Sequence, residues 1–448
     1  MSAPSNFGVT RRNNVEQAGN TESQQGLRRV VIAAMAGSVI EWFEFSVYGY
    51  LATIMGKVFF PTSSPGVQII ASFATFAIAF LARPFGGIMC SVLADRYGRK
   101  SILNVTLFVM AAATFGIGLL PSYATLGTLA PVLLVVLRLF QGLSAGGEVS
   151  AAAIYVAERS ENHNRTLMTA WVEVGAMAGF LAGALVSYVL HLMFDDATLA
   201  AWGWRVPFYF AAPLALIGLY IRRRLEESQA FVDAQKRGRV EPATILKQVA
   251  RLVGYKKHML QAAGMVIVTN ITLFTVLSYI PTFLNRTLHL SGTDALAISL
   301  LPMLVLVLLI PLFAMLADRI GRKPVMIAGS LAVLVLAAPS FHLLQSGNLI
   351  LQVTALVTLN VSLAALTSCI FAQVPTLFPI KVRFMAMSVS YNVTIAIFAG
   401  TAPMIDAWLI EKTGNPITPA YYMILGCVVG LIALLSSTDQ TGQPMKEE

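Results

Sequence analysis

Charge is what this sequence lacks most. Asp, Glu, Lys and Arg make up 12% of its residues, where a soluble domain carries about a quarter. That scarcity excludes an ordinary water-soluble globule. Cysteine is scarce too: Cys90, Cys369 and Cys427 fall in apolar runs, without metal-ligand spacing or any sign of a disulfide framework. The histidines, His163, His191, His258, His289 and His342, lie in loops or at helix ends. No metal site, cofactor site, triad or phosphate loop is expected, and so no enzyme. Gly142-Leu143-Ser144-Ala145-Gly146 matches the hydrolase G-x-S-x-G pattern. That elbow needs a strand-turn-helix, and this serine sits inside an apolar helix.

Apolar residues fill the space that charge leaves, at 56% of the chain and a mean hydropathy of +0.72. A bilayer-spanning helix takes about 20 mainly apolar residues. The sequence predicts twelve, over 30–53, 67–92, 101–120, 129–153, 166–190, 203–221, 259–284, 295–316, 324–344, 350–375, 384–409 and 417–437. These runs are too long for barrel strands, so the fold class is an all-α membrane protein. The first run is also too long for a signal peptide.

An eight-residue charged stretch occurs twice. Leu93-Ala94-Asp95-Arg96-Tyr97-Gly98-Arg99-Lys100 returns as Leu316-Ala317-Asp318-Arg319-Ile320-Gly321-Arg322-Lys323, with seven of eight positions matched and an offset of 223 in 448 residues. Each copy separates two apolar runs. This predicts two homologous six-helix halves, each with a charged turn at one membrane surface. The expected divisions are a disordered cytoplasmic tail at 1–28, the first half at 29–221, and an amphipathic cytoplasmic loop at 222–258. The second half at 259–438 and a cytoplasmic tail at 439–448 follow.

The net charge of +9 resembles a nucleic-acid signal until it is placed. With both termini inside, 25 of the 31 basic residues fall on the cytoplasmic side. Three, Lys57, Arg286 and Lys412, fall on the other, and Arg83, Arg138 and Arg205 lie within or at the ends of helices. That asymmetry is the positive-inside rule, so the charge reports orientation in a membrane and no nucleic-acid partner.

Charges inside the apolar runs are the functional candidates, because each is costly in lipid. Glu41, Glu44 and Tyr48 stand at i, i+3 and i+7 on one face of helix one. The two carboxyls should face a wet cavity, and their mutual repulsion should keep at least one protonated. The alternative is a pair beside a water-filled groove without a role. Glu173 on helix five is the reserve proton carrier. Arg83 precedes Pro84 deep in helix two, and Arg138 opens the stretch Arg138-Leu139-Phe140-Gln141-Gly142 in helix four. Either guanidinium suits a solute carboxylate, because it stays charged and binds bidentately. The alternative is a permanent pair with Glu41, Glu44 or Glu148. The aromatic cluster Trp42, Phe43, Phe45, Tyr48 and Tyr50 could hold a quaternary ammonium, stack on an aromatic acid, or simply pack the core. The second half carries little inside its helices beyond Asp406 and neutral polar residues such as Asn270, Asn360 and Asn392. Ionic coupling is therefore expected in the first half.

At these residues the chain resembles the major facilitator superfamily, whose signature between helices two and three is similar to the repeated LADRxGRK. More narrowly, it resembles the metabolite:proton symporter family. The resemblance rests on IEWFEFSVYG in helix one, Phe59-Phe60-Pro61, LARPFGG, RLFQGLSAGGE, Trp202–Phe208 and Arg222–Ser228. It is nearest to that family's proline/betaine branch, through Val268–Thr272 and Pro419–Tyr422. Three departures stand out. Glu44 replaces the family's usual Asp, and Thr376 replaces the acid that often precedes LFP, which predicts a missing gate salt bridge. The chain also ends soon after helix twelve, without the coiled-coil tail of some osmosensing relatives.

The resemblance implies a symporter in the bacterial inner membrane, expected to be a functional monomer with both termini cytoplasmic. It would import a small carboxylate-bearing solute with a proton by alternating access. The solute would be a di- or tricarboxylate, an aromatic acid such as phthalate, or a zwitterion such as proline or betaine. Expected proton-coupling residues are Glu41, Glu44 and Glu173, and expected solute contacts are Arg138, Arg83, Tyr48 and Asn270. Expected gate residues are Asp95, Arg96, Gly98 and Arg99 with Glu158 and Arg165, and Asp318, Arg319, Gly321 and Arg322 in the second copy. One alternative is a proton-coupled exporter, against which stands a helix five without proline, Gly175-Ala176-Met177-Ala178-Gly179. Another is a non-transporting membrane sensor, which would need an output domain.

Overall fold

The computed structural model describes residues 7–97, 99–223 and 252–446, without the side chains of 7–25, 29, 91, 92, 94–101, 103, 215 and 219–223. The expected loop at 222–258 thus lies almost wholly outside the described residues. Among the described residues, twelve helices make the bundle. The first six are α1 (Phe7–Tyr50), α2 (Pro65–Tyr97), α3 (Arg99–Leu119), α4 (Leu129–Arg159), α5 (Arg165–Met193) and α6 (Ala211–Arg223). The second six are α7 (Val253–Arg286), α8 (Gly292–Ile320), α9 (Arg322–Leu344), α10 (Leu349–Thr376), α11 (Ile380–Thr413) and α12 (Thr418–Ser436). Ten are long and apolar enough to cross a membrane, and a shorter apolar helix covers Asn104–Leu119 within α3. The tail read as disordered to residue 28 is helical from Phe7, continuous with the first span. No proline stands between Pro4 and Pro61 to interrupt it.

Small residues set which helices touch. A β-carbon on Gly142 of α4 would run into the Ala79 backbone of α2, one on Gly146 into Arg83, and one on Gly86 of α2 into Leu143. On α5, Gly175, Gly179 and Gly183 form a stripe against Met35, Val39 and Ser46 of α1. Backbones approach this closely only where a side chain is missing. Between the halves, α5 packs on α8 and α10, and α2 packs on α11.

Two π-helical turns interrupt the second half, Phe274–Tyr279 in α7 and Ile395–Ala399 in α11. Such turns cluster at functional sites. Phe274 reaches across to the first half, with its ring 5.2 Å from Phe80 and 6.0 Å from Trp42.

Candidate functional site

The buried charges of the first half sort into two groups. Arg83 of α2 is ion-paired with Glu41 of α1, and both are fully buried. The same guanidinium sits 5.3–5.4 Å from the rings of Trp42, Phe45 and Phe80. The aromatic cluster expected to hold a solute cation or pack the core therefore surrounds an arginine of the chain. This pairing is the arrangement described by the alternative weighed for Arg83, a permanent partner for a helix-one acid.

Arg138 is held differently. It is fully buried on α4, and no carboxylate oxygen lies within ion-pair distance of it among the described residues. Its Nη1 donates to Gln141 Oε1 at 2.9 Å, and its plane covers the Tyr48 ring, 3.5 Å from the centroid. Nε and Nη2 are buried without a hydrogen-bond partner. Those two nitrogens form one edge of the guanidinium, the fork that receives a carboxylate side-on. A buried donor left unsatisfied is costly, which makes that edge the candidate contact for a solute carboxylate.

Arg138 is joined to Glu44 by a relay that crosses three helices. Gln141 Nε2 donates to Thr114 Oγ1 of α3 at 2.6 Å. The Thr114 hydroxyl in turn donates to Glu44 Oε2, and Glu44 Oε1 has no partner. The single Thr114 hydrogen has a second acceptor in Met110 O, so the relay is complete when that hydrogen turns to Glu44. Arg138, Glu41 and Glu148 all lie within electrostatic reach of that carboxyl. Gln141 and Thr114 were absent from the expected site. The signal for Gln141 was available, since an amide three residues after Arg138 shares its helical face. Thr114 gave none, because a threonine in an apolar helix usually bonds its own backbone, as it also does here with Met110 O at 2.9 Å.

The remaining expected residues divide. Tyr48 is buried at the site, with its hydroxyl donating to Ser72 O at 3.3 Å. Glu173 is buried on α5, and with Arg83 and Glu41 it lies within electrostatic reach of Tyr391 on α11. Asn270 turns its amide back to Val266 O of its own helix, at 3.0 Å. In the second half, Asp406 is fully buried and accepts from Thr275 at 2.7 Å. Asp406, the exception already named for that half, is thus a buried acid.

At the end of the bundle that carries the repeated turns, the halves are latched together. Asp318 accepts from the backbone N–H groups of Thr166 and Leu167, at 3.0 and 2.9 Å. It caps the first turn of α5, where unpaired donors and the helix dipole favour an anion. Arg322 is buried and donates to Thr166 Oγ1 at 2.8 Å. Gly321 has φ +106° between α8 and α9, a conformation costly for any other residue. Arg319 points outward. The side chains of Asp95, Arg96 and Arg99, and Gly98 itself, lie outside the described residues. Of the expected cluster of Asp95 and Arg99 with Glu158 and Arg165, only the last two have described side chains, and neither is paired directly with the other. Glu158 pairs instead with Arg383 of α11 at 2.7 Å. Arg165 turns inward to Asn162 Oδ1 and to the carbonyls of Ala157 and Gln443, at 2.6, 3.1 and 3.0 Å. Those acceptors already satisfy its fork. A cross-half salt bridge therefore exists although Thr376, in the place of the family's acid, only bonds Gln373 O at 2.7 Å. Asn392 adds a neutral link from α11 to Gly146 O of α4, at 2.8 Å.

Comparison with known proteins places this geometry. The family model described as Major Facilitator Superfamily matches residues 30–391 and 262–443. The chain is 40% identical over 428 residues to the proline/betaine transporter of Escherichia coli (strain K12), covering 94% of this chain and 85% of that one. It is 40% identical over 431 residues to the glycine betaine/proline/ectoine/pipecolic acid transporter of Dickeya dadantii (strain 3937), with the same coverage of 94% and 85%. Among solved structures, the proton:xylose symporter XylE superposes with a TM-score of 0.74 at 18% identity, covering 95% of this chain and 98% of that one. At that identity the match shows the shared fold.

Proposed function

Because the chain belongs to the Major Facilitator Superfamily and is a multi-pass membrane transporter, we propose that it is a proton-coupled symporter. Its solute is a small zwitterion with a carboxylate, of the kind represented by proline and betaine. Relatives 40% identical carry those names, which favours the zwitterion over the di- and tricarboxylate or aromatic-acid alternatives. The observation that carries the reading is the Arg138–Gln141–Thr114–Glu44 relay, with the Nε/Nη2 edge of Arg138 unpartnered.

The chemistry follows from charge. A solute carboxylate docks on the Arg138 fork and shares its positive charge. The field of Arg138 at Glu44 weakens, and Glu44 takes up a proton. Solute and proton then cross together as the halves rock about the site. Release of the solute restores the field and returns the proton. Glu173 is the reserve proton carrier, and Arg83–Glu41 supports the site as a fixed pair.

The charge asymmetry supports cytoplasmic termini in a bacterial inner membrane, and reporter fusions at residue 240 should read as cytoplasmic. The function itself is tested by uptake of radiolabelled betaine, proline, citrate, ketoglutarate and phthalate, with and without a protonophore. Protonophore-sensitive uptake of betaine or proline is expected. Glu44→Gln should lose accumulation yet keep exchange down a gradient. Full accumulation by that variant would move the proton to Glu173.

A further inference from the structure

The end of the bundle opposite the repeated turns holds a cavity of about 490 Å³ between the halves, within the roughly 300–1,000 Å³ of small-molecule sites. Its polar lining carries both signs of charge and comes from both halves. Lys57 and Asp196 belong to the first half, and Arg286 and Glu411 to the second.

Arg286 is the unusual member. It ends α7, half-buried, and its Nε and Nη2 are buried without a hydrogen-bond partner. No carboxylate oxygen lies within ion-pair distance of it among the described residues, although Asp196 is within electrostatic reach. Arg286 therefore presents the same guanidinium edge as Arg138, and both edges are buried without an acceptor. A desolvated fork is a receptor for a planar anion. The carboxylates of Asp196 and Glu411 stand exposed in the same lining. Glu411 packs on Gly66 at the start of α2, where a β-carbon would collide with it.

From this geometry we propose that the cavity is a capture site, in which Arg286 binds the carboxylate of a zwitterion while Asp196 and Glu411 attract its ammonium. The solute then passes inward to Arg138. This deepens the solute reading given above and rests on it. Each arginine offers the carboxylate the same edge, so transfer exchanges one bidentate pair for another. A cation without a carboxylate gains nothing from the Arg286 fork and is not retained.

The test uses the full chain purified into nanodiscs and reconstituted into liposomes, with radiolabelled glycine betaine as probe. Arg286→Gln should raise the KM for uptake about tenfold, with the rate at saturating betaine changed less than about twofold. Arg138→Gln should lose uptake but keep a weak betaine-binding phase, and Arg138→Gln combined with Arg286→Gln should lose that phase too. If Arg286→Gln does not insert, Arg286→Lys keeps the charge without the fork and should raise KM by about threefold or more. An unchanged KM in whichever variant inserts, with the weak phase intact, overturns the capture site while leaving the solute reading in place. Failure of the wild type to bind betaine overturns both.

Discussion

Thr114→Val cuts the relay at its centre while preserving shape. The threonine hydroxyl is both the acceptor from Gln141 at 2.6 Å and the donor to Glu44. Valine fills nearly the same volume and does neither. A hydrogen bond to a charged group contributes about 1.5–3 kcal/mol, and a neutral one about 0.5–1.5 kcal/mol. The link between Arg138 and Glu44 should therefore weaken by the charged bond at least. At about 1.4 kcal/mol per factor of ten, that is roughly ten- to a hundred-fold in the equilibrium joining solute and proton. Neither Arg138 nor its empty edge is altered, so solute binding should survive. The assay compares two readings in proteoliposomes, protonophore-sensitive accumulation and solute counterflow. Thr114→Val should keep counterflow within about threefold of wild type and lose about tenfold or more of accumulation. Thr114→Ser, which keeps the hydroxyl, should recover most of it. Wild-type accumulation by Thr114→Val would refute the relay and leave Glu44 to sense Arg138 through space alone.

Three further outcomes follow from the same geometry. Arg138→Lys keeps the charge but loses the fork, and should raise the apparent KM about tenfold, or about 1.4 kcal/mol; an unchanged KM in uptake kinetics would place the carboxylate elsewhere. Removing one member of the buried Arg83–Glu41 pair should cost about 3–5 kcal/mol of stability, whereas replacing both with apolar residues should cost far less. Thermal unfolding in detergent of Arg83→Met, alone and combined with Glu41→Leu, reads the difference, and equal losses would count against a structural pair. Gly142→Ala places a methyl on the Ala79 backbone and should destabilise by about 1–3 kcal/mol; a thermal midpoint equal to wild type would mean that α2 and α4 can separate without loss.

Much of this molecule was decided by the sequence. Lipid offers a backbone no partner but itself, so long apolar runs become helices wherever they occur. The twelve runs accordingly reappear among the described residues as α1–α12; most ends shift by a few residues, while α1 begins well before its run, at Phe7, and α6 well inside its run, at Ala211. The repeat itself marked 316–323 as a charged turn between two apolar runs, although only the fold shows that Asp318 caps a helix of the other half. The cost of charge in an apolar helix also singled out Glu41, Glu44, Arg83 and Arg138 as candidates.

Which of those charges meet was decided only by tertiary structure. Helical spacing places Glu41 and Glu44 on one face of α1, yet Glu41 pairs with Arg83 of α2 while Glu44 meets Thr114 of α3. The difference comes from rotation and depth. The glycines of α2 and α4 let those helices close until their backbones touch, and that approach sets Arg83 among the aromatic rings and Arg138 against Tyr48. Spacing along one helix encodes neither quantity. The same holds for Glu158, whose partner Arg383 lies 225 residues away, and for Arg286, which the sequence shows only as a charge on the sparsely basic side. Whether a guanidinium is a fixed pair or an open fork depends on what the neighbouring helices bring to its edge.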